Sequence, residues 1–215
     1  MKKNLTELVF IIDRSGSMSG LESDTVGGFN SMLEKQRKEE GECLVSTVLF
    51  NQSSKVFHDR VELNKVEKMM ERDYVPSGST ALIDALGDSI KHIKNVHKYI
   101  REEDVPENTI FVITTDGLEN ASHKYASDEI KKMIEKQKEE GWEFLFVAAN
   151  IDAVETAKEY GISENRASNY VHDDKGLGKV FESVNNAIFQ KRYYCEIADD
   201  WDMEMKDDYN KRNSK

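Results

Sequence analysis

The sequence predicts an α/β domain built on a doubly wound, mostly parallel six-stranded sheet, with one antiparallel edge strand and helices on both faces. Three observations carry this. Short apolar runs alternate along the chain with charged stretches of helical period, the pattern of strands joined by crossover helices. Two of the runs, residues 8–12 and 109–114, are unbroken and rich in β-branched residues, as strands covered on both faces are. Each leads into an aspartate, Asp13 and Asp116, at the carboxyl end of its strand, where sheets of this kind gather ligands.

The elements follow in order. After the loop at Asp13, a helix begins soon after Ser19 or Ser23. Val26, Phe29 and Leu33 lie at helical spacing, and Gly41 is its stop. Residues 43–50 form a second strand and 55–61 a third, and residues 51–54 between them allow only a hairpin. The third strand is therefore antiparallel and at the edge, which its mixed polarity suits. Residues 64–72 read as a short helix. Pro76-Ser77-Gly78-Ser79-Thr80 then opens a longer one, with Leu82, Leu86, Ile90, Ile93 and Val96 as its apolar stripe. Thr80 stands where an N-cap belongs. Beyond the fourth strand come a helix at 127–140, a strand at 142–149, a helix at 152–160, a short strand at 168–171 and a last helix at 177–189. Residues 1–192 are read as the domain. Residues 193–215, acidic and short of aliphatics, are read as a loosely held tail.

The chain has 30 Lys and Arg against 41 Asp and Glu, a net charge of -11. That balance disfavours a nucleic-acid partner, which needs a basic face. No stretch is long and apolar enough to span a bilayer, and the N-terminal apolar run is too short for a signal peptide. Two cysteines make no disulfide framework, and Cys43, in an apolar run, is expected in the core. These features point to the cytoplasm.

Asp13, Ser15 and Ser17 place one carboxylate and two hydroxyls on alternate residues at the end of the first strand, and Thr80 and Asp116 add oxygens from two further loops. If the first and fourth strands are neighbours, all three loops share one crevice. Oxygen-only donors suit a hard divalent cation. The simpler readings are a turn or cap at Asp13, the N-cap at Thr80 and an Asp-Gly turn at Asp116.

Asp13-Arg14-Ser15-Gly16-Ser17, Gly78-Ser79-Thr80 and Thr115-Asp116-Gly117, in that order, resemble the metal-ion-dependent adhesion site of von Willebrand factor A domains, whose fold is Rossmann-like. The resemblance extends over about residues 5 to 190. Ser79 departs from it, standing where a glycine often precedes the threonine. The resemblance implies that Ser15 and Ser17 ligate the ion directly, Thr80 directly or through water, and Asp13 and Asp116 directly or through bound waters. The ion it implies is Mg²⁺, with Mn²⁺ or Ca²⁺ as alternatives, and a partner's Asp or Glu would complete the shell. Members of the family inside bacteria often act as adaptors, some with ring-forming ATPases, so an ATPase-containing complex is the partner context implied.

The competing reading is a Mg²⁺-dependent hydrolase or phosphatase using the same crevice. It is the weaker one. An aspartyl-phosphate phosphatase would place a second Asp where Ser15 stands, no general base is placed by sequence, and Ser15 and Ser17 lack the Gly-x-Ser-x-Gly elbow. The sequence therefore predicts a binding module without catalysis. The five histidines form no ligand set and read as surface residues. Gly176-Leu177-Gly178-Lys179 lacks the spacing of a phosphate loop, and Asp200, Asp202 and Glu204 lack the glycine and closing Glu of a calcium loop. Trp201 is the one residue of the tail read as able to anchor a partner.

Overall fold

The computed structural model describes residues 1–213. Its central strand, β1 (Lys2–Asp13), pairs in parallel with β2 (Glu42–Phe50) on one side and with β4 (Pro106–Thr115) on the other. β3 (Ser54–Glu62) returns antiparallel along β2, with Phe50 opposite Ser54, so the hairpin inferred from the short turn is present. β5 (Glu143–Ala148) and β6 (Ala167–Asn169) extend the sheet beyond β4. The order β3-β2-β1-β4-β5-β6 reverses between β1 and β4. That is the switch point at which a doubly wound sheet opens a crevice.

Alternate residues of β1 serve two cores. Leu8, Phe10 and Ile12 face α1 (Glu22–Gln36) and α5 (Asp174–Tyr194), while Val9 and Ile11 face α2 (Leu82–Tyr99), α3 (Ser127–Glu139) and α4 (Ala153–Glu159). This period of two along a strand buried on both faces explains why residues 8–12 read as an unbroken apolar run. α1 and α5 meet at Gly28, where an added Cβ would lie 2.2 Å from the Phe181 ring. The helices can approach this closely only because Gly28 has no side chain. Cys43 is buried as expected, burial pushes its thiol up to about 12, and both cysteines are free.

Three expectations need correction. Residues 64–72 are not a helix: two short 3-10 turns, Leu63–Lys65 and Glu71–Asp73, flank an extended stretch. Its backbone bonds go to side chains of the first helix and the chain just beyond it. Asn30 donates to the Met69 carbonyl and accepts from the Met69 N–H, and Arg37 donates to the carbonyls of Leu63 and Val66. With those groups satisfied and Leu63, Val66 and Met69 buried, the segment gains nothing by coiling.

The segment after 192 is the second. α5 runs on to Tyr194 and ends on Cys195 in the left-handed region (φ 58°), and α6 (Met203–Asn213) follows. Ile197, Trp201 and Met205 enter the core beside α5. Trp201 is 4% exposed and donates its indole N–H to the Asn165 carbonyl at 3.0 Å, so it anchors its own chain. Arg212 pairs with Asp208 and Asp173, tying α6 to the start of α5. Residues 214 and 215 of the expected tail lie outside those described.

Third, the histidines are not all surface residues. His58 is buried between the Thr47 hydroxyl and the Glu67 carbonyl, His97 meets a buried Glu7, and His172 faces Asp116.

Candidate metal centre

At the carboxyl end of β1 the chain turns sharply around Asp13. The Arg14 N–H donates to the Phe50 carbonyl at 2.7 Å, which ends the strand in register with β2. The Ser15 N–H then donates to Asp13 Oδ1 at 2.7 Å, an Asx-type turn that points the next residues back across the strand end. A 3-10 turn over Gly16–Met18 follows and brings the Ser15 and Ser17 hydroxyls 3.1 Å apart. From the neighbouring strand β4, the Thr115 hydroxyl donates to Asp13 Oδ2 at 2.6 Å, and Asp116 Oδ1 accepts from the Ser17 hydroxyl at 2.7 Å. Asp13, Ser15, Ser17 and Asp116 thus form one hydrogen-bonded cluster across the switch point.

The Thr80 segment is tied to the same loop through its backbone. Gly16 N–H donates to the Gly78 carbonyl at 3.0 Å, and Ser77 N–H to the Arg14 carbonyl at 2.9 Å. Gly78 adopts φ +73°, the left-handed region that glycine enters without strain. Thr80 is not the N-cap. That position is Ala81, without a side-chain cap. Thr80 is held instead by its main chain, which donates to Asn120 Oδ1 and accepts from the N–H groups of Asn120 and Ala121. Among the described residues its hydroxyl bonds to no member of the cluster.

The loop after Asp116 is cinched against α2 by two carboxylates. Glu119 accepts from the N–H groups of Ile83, Ala121 and Ser122. Asp84 accepts from those of His123, Lys124 and Tyr125 at 3.0, 2.9 and 3.2 Å. Burial opposes the charge on Asp84, but those three backbone bonds outweigh it and hold its carboxyl below the usual 3.8. Because the folded value is depressed, its stabilisation is fully present above the unfolded value and is lost as pH falls through the folded one. Asp84→Ala is expected to cost about 2–4 kcal/mol at neutral pH by orphaning three donors. In urea unfolding, its gap from the unsubstituted chain should close as pH drops below 3.8.

Asp13 and Asp116 are each 1% exposed. Burial pushes the Asp13 carboxyl up, against the bonds from Thr115 and Ser15, and the charge of Asp116 adds to the rise. Tyr74 and Tyr170, both buried, floor the crevice. The Tyr74 hydroxyl donates to the Asp13 carbonyl at 2.5 Å, and burial followed by the Asp116 charge drives the Tyr170 phenol far up. Asp116 Oδ2 is buried without a hydrogen-bond partner. Among the described residues, the one ion-pairing group within reach of either carboxylate is His172, with Nε2 at 3.6 Å from that oxygen. Two sequestered carboxylates, one with an orphaned oxygen, beside two hydroxyls are the donor chemistry of a hard cation, and the residues fit one. No three His, Cys, Asp or Glu side chains converge as a metal set among the described residues, so a cation here has to draw on the hydroxyls. Sequence reading missed Thr115, which orients Asp13, and His172. Thr115 was legible as the neighbour of Asp116 on an alternating strand, but nothing in the sequence placed His172.

No protein-family model matches the sequence, and no curated protein does. Solved structures do. The PilB minor pilin of Streptococcus sanguinis, as its D319A mutant, superposes with a TM-score of 0.64 at 13% identity, over 92% of this chain and 64% of that one. The vWF domain of the type V pili tip protein Mfa5 from Porphyromonas gingivalis gives 0.61 at 11% identity, over 90% and 98%. Proximal thread matrix protein 1 from the mussel byssus, solved with zinc occupying its MIDAS motif, gives 0.56 at 15%, over 86% and 46%. The chain thus spans less than two thirds of the pilin and of the byssus protein. The fold is that of von Willebrand factor A domains.

Proposed function

We propose that the chain is a metal-dependent protein-binding module. A divalent cation, Mg²⁺ with Mn²⁺ or Ca²⁺ as alternatives, is held by Asp13, Ser15, Ser17, Thr80 and Asp116, and a partner's Asp or Glu completes its coordination. The observation that carries this reading is the buried, unpartnered Asp116 Oδ2 beside a second buried carboxylate. Such a pair is costly without a cation and is what a cation would stabilise. The zinc in the MIDAS motif of the byssus protein supports it by analogy of fold. The cation supplies a Lewis-acidic position for the partner's carboxylate, and the protein holds the donors that leave that position open. An adaptor role in the cytoplasm, beside an ATPase-containing complex, is the context in which we place it.

The hydrolase alternative finds less support. An aspartyl-phosphate mechanism needs an acid–base carboxylate two residues after the nucleophile, and Ser15 stands there.

Calorimetric titration of chelator-treated protein with Mg²⁺, Mn²⁺ and Ca²⁺ tests the proposal. One ion per chain is expected, with the heat lost in the Ser15→Ala, Ser17→Ala double variant. No binding to the unsubstituted chain, or equal binding to both, would sink it.

A further inference from the structure

We infer that His172 is an additional ligand of this centre and shifts its preference from Mg²⁺ towards imidazole-accepting ions such as Mn²⁺ and Zn²⁺. The inference rests on the metal-site reading above and names the ion class that this chain's own residues select.

His172 stands in the turn between β6 and α5, a loop that contributes nothing to the five residues assigned from the sequence. It is reached over the end of the sheet, because β5 and β6 follow β4 in order and all three run in parallel. Its Nε2 lies 3.6 Å from Asp116 Oδ2. That is too long for a hydrogen bond and a few tenths of an ångström beyond the roughly 3.0–3.4 Å that bonds of about 2.1 Å set between neighbouring ligands of one small ion, so a small closure of the pair would bring both onto it. The oxygen it faces is the orphaned one, and the other ring nitrogen, Nδ1, is also buried without a partner. The ring is 23% exposed on its side chain. Asp116 Oδ2 has no hydrogen bond, and a cation between it and the facing Nε2 would satisfy it.

The position of the loop is fixed by the core. Tyr170, two residues earlier, is 1% exposed, and its N–H donates to the Ala148 carbonyl at 3.0 Å. Asp173, the next residue, caps α5 by accepting from the Gly176 N–H. His172 is therefore held between a buried anchor and a helix start and has little freedom to swing away. Oxygen-only shells suit Mg²⁺ and Ca²⁺, whereas imidazole suits later first-row metals. One nitrogen in place of a water is enough to change the ranking.

The test uses the full chain, treated with chelator and titrated with Mg²⁺, Mn²⁺ or Zn²⁺, beside His172→Ala and His172→Asn. Removing the imidazole is expected to weaken Zn²⁺ at least about tenfold and leave Mg²⁺ within about threefold. Electron spin-echo spectra of the Mn²⁺-loaded, unsubstituted chain should show coupling to a directly bound nitrogen, absent in both variants. The spectrum of the unsubstituted chain keeps the test decisive even if a variant folds poorly. One bound ion without nitrogen coupling, or equal losses for Zn²⁺ and Mg²⁺, overturns the role of His172 alone. Failure of any cation to bind the unsubstituted chain overturns the metal site itself.

Discussion

Asp116→Ala is expected to abolish cation binding, weakening it at least about a hundredfold, while leaving the metal-free protein as stable as the parent or more so. In the metal-free chain Asp116 is an almost fully buried carboxylate with one unpartnered oxygen, close enough to Asp13 to raise that carboxyl. Burying charge without a counter-ion costs several kcal/mol, so its removal relieves the fold. Only the Ser17 hydroxyl and the His172 ring, 3.6 Å from Oδ2, lose a partner. The loaded protein responds in the opposite sense. At a cation concentration about a hundred times Kd, binding stabilises the parent by about 2.7 kcal/mol, a rise in Tm of roughly 5–10 °C for a domain of this size. Thermal scans with and without cation should show that rise in the parent and none in Asp116→Ala. A variant that still rises, or whose metal-free Tm collapses, would assign Asp116 to the fold and not to the ion. The titration of Asp13 carries the same sign. Its folded value is raised from 3.8, so in chelated protein its contribution is full below 3.8 and is lost as pH climbs through the raised value.

The parts legible in the sequence were those governed by local pattern. The buried runs at 8–12 and 109–114, the hairpin forced by residues 51–54 and the aspartates at strand ends all follow from period and turn length, and the structure has each of them. The oxygen cluster at Asp13, Ser15, Ser17 and Asp116 also assembles, because parallel pairing of β1 with β4 sets Ile12 opposite Thr114 and so brings the two strand ends level. What escaped was set by partners distant in sequence. The extended course of residues 66–70 depends on Asn30 and Arg37. Thr80 looked like a cap, but its backbone is spoken for by Asn120, 40 residues away. The last segment did carry a signal, since Ile197, Trp201 and Met205 fall four apart, the spacing of one helical face. Its acidic composition concealed three apolar residues that close the core over α5.

The largest effect on stability should come from a residue with no part in the site. Glu7 is 0% exposed on β1, where alternation with Val9 and Ile11 gives it to the α2 face of the sheet. Its Oε1 accepts from Arg60 Nε at 2.5 Å, and its Oε2 lies 2.6 Å from His97 Nε2 on α2. Arg60 reaches it from the edge strand β3 with φ at 49°, where the pairing of β2 with β3 shifts register. His97 is in turn set edge-on against Trp142 at 5.4 Å. The carboxylate therefore joins the central strand, the edge strand and α2 through one buried point. Glu7→Ala strands a guanidinium that cannot lose its charge, and truncating one side of such a pair costs about 3–5 kcal/mol. Replacing both members, as Glu7→Leu with Arg60→Met, should recover much of that loss, since a buried pair is worth little over well-packed apolar groups. Urea unfolding of the two single variants and the double variant gives the coupling directly. A Glu7→Ala loss under about 1 kcal/mol would mean that Arg60 swings to solvent and the pair is idle. Asp13 lies six residues further along the same strand, roughly 20 Å away at about 3.3 Å per residue. Cation affinity measured on folded Glu7→Ala should therefore equal that of the parent, which makes this variant the control that separates a weakened fold from a broken site.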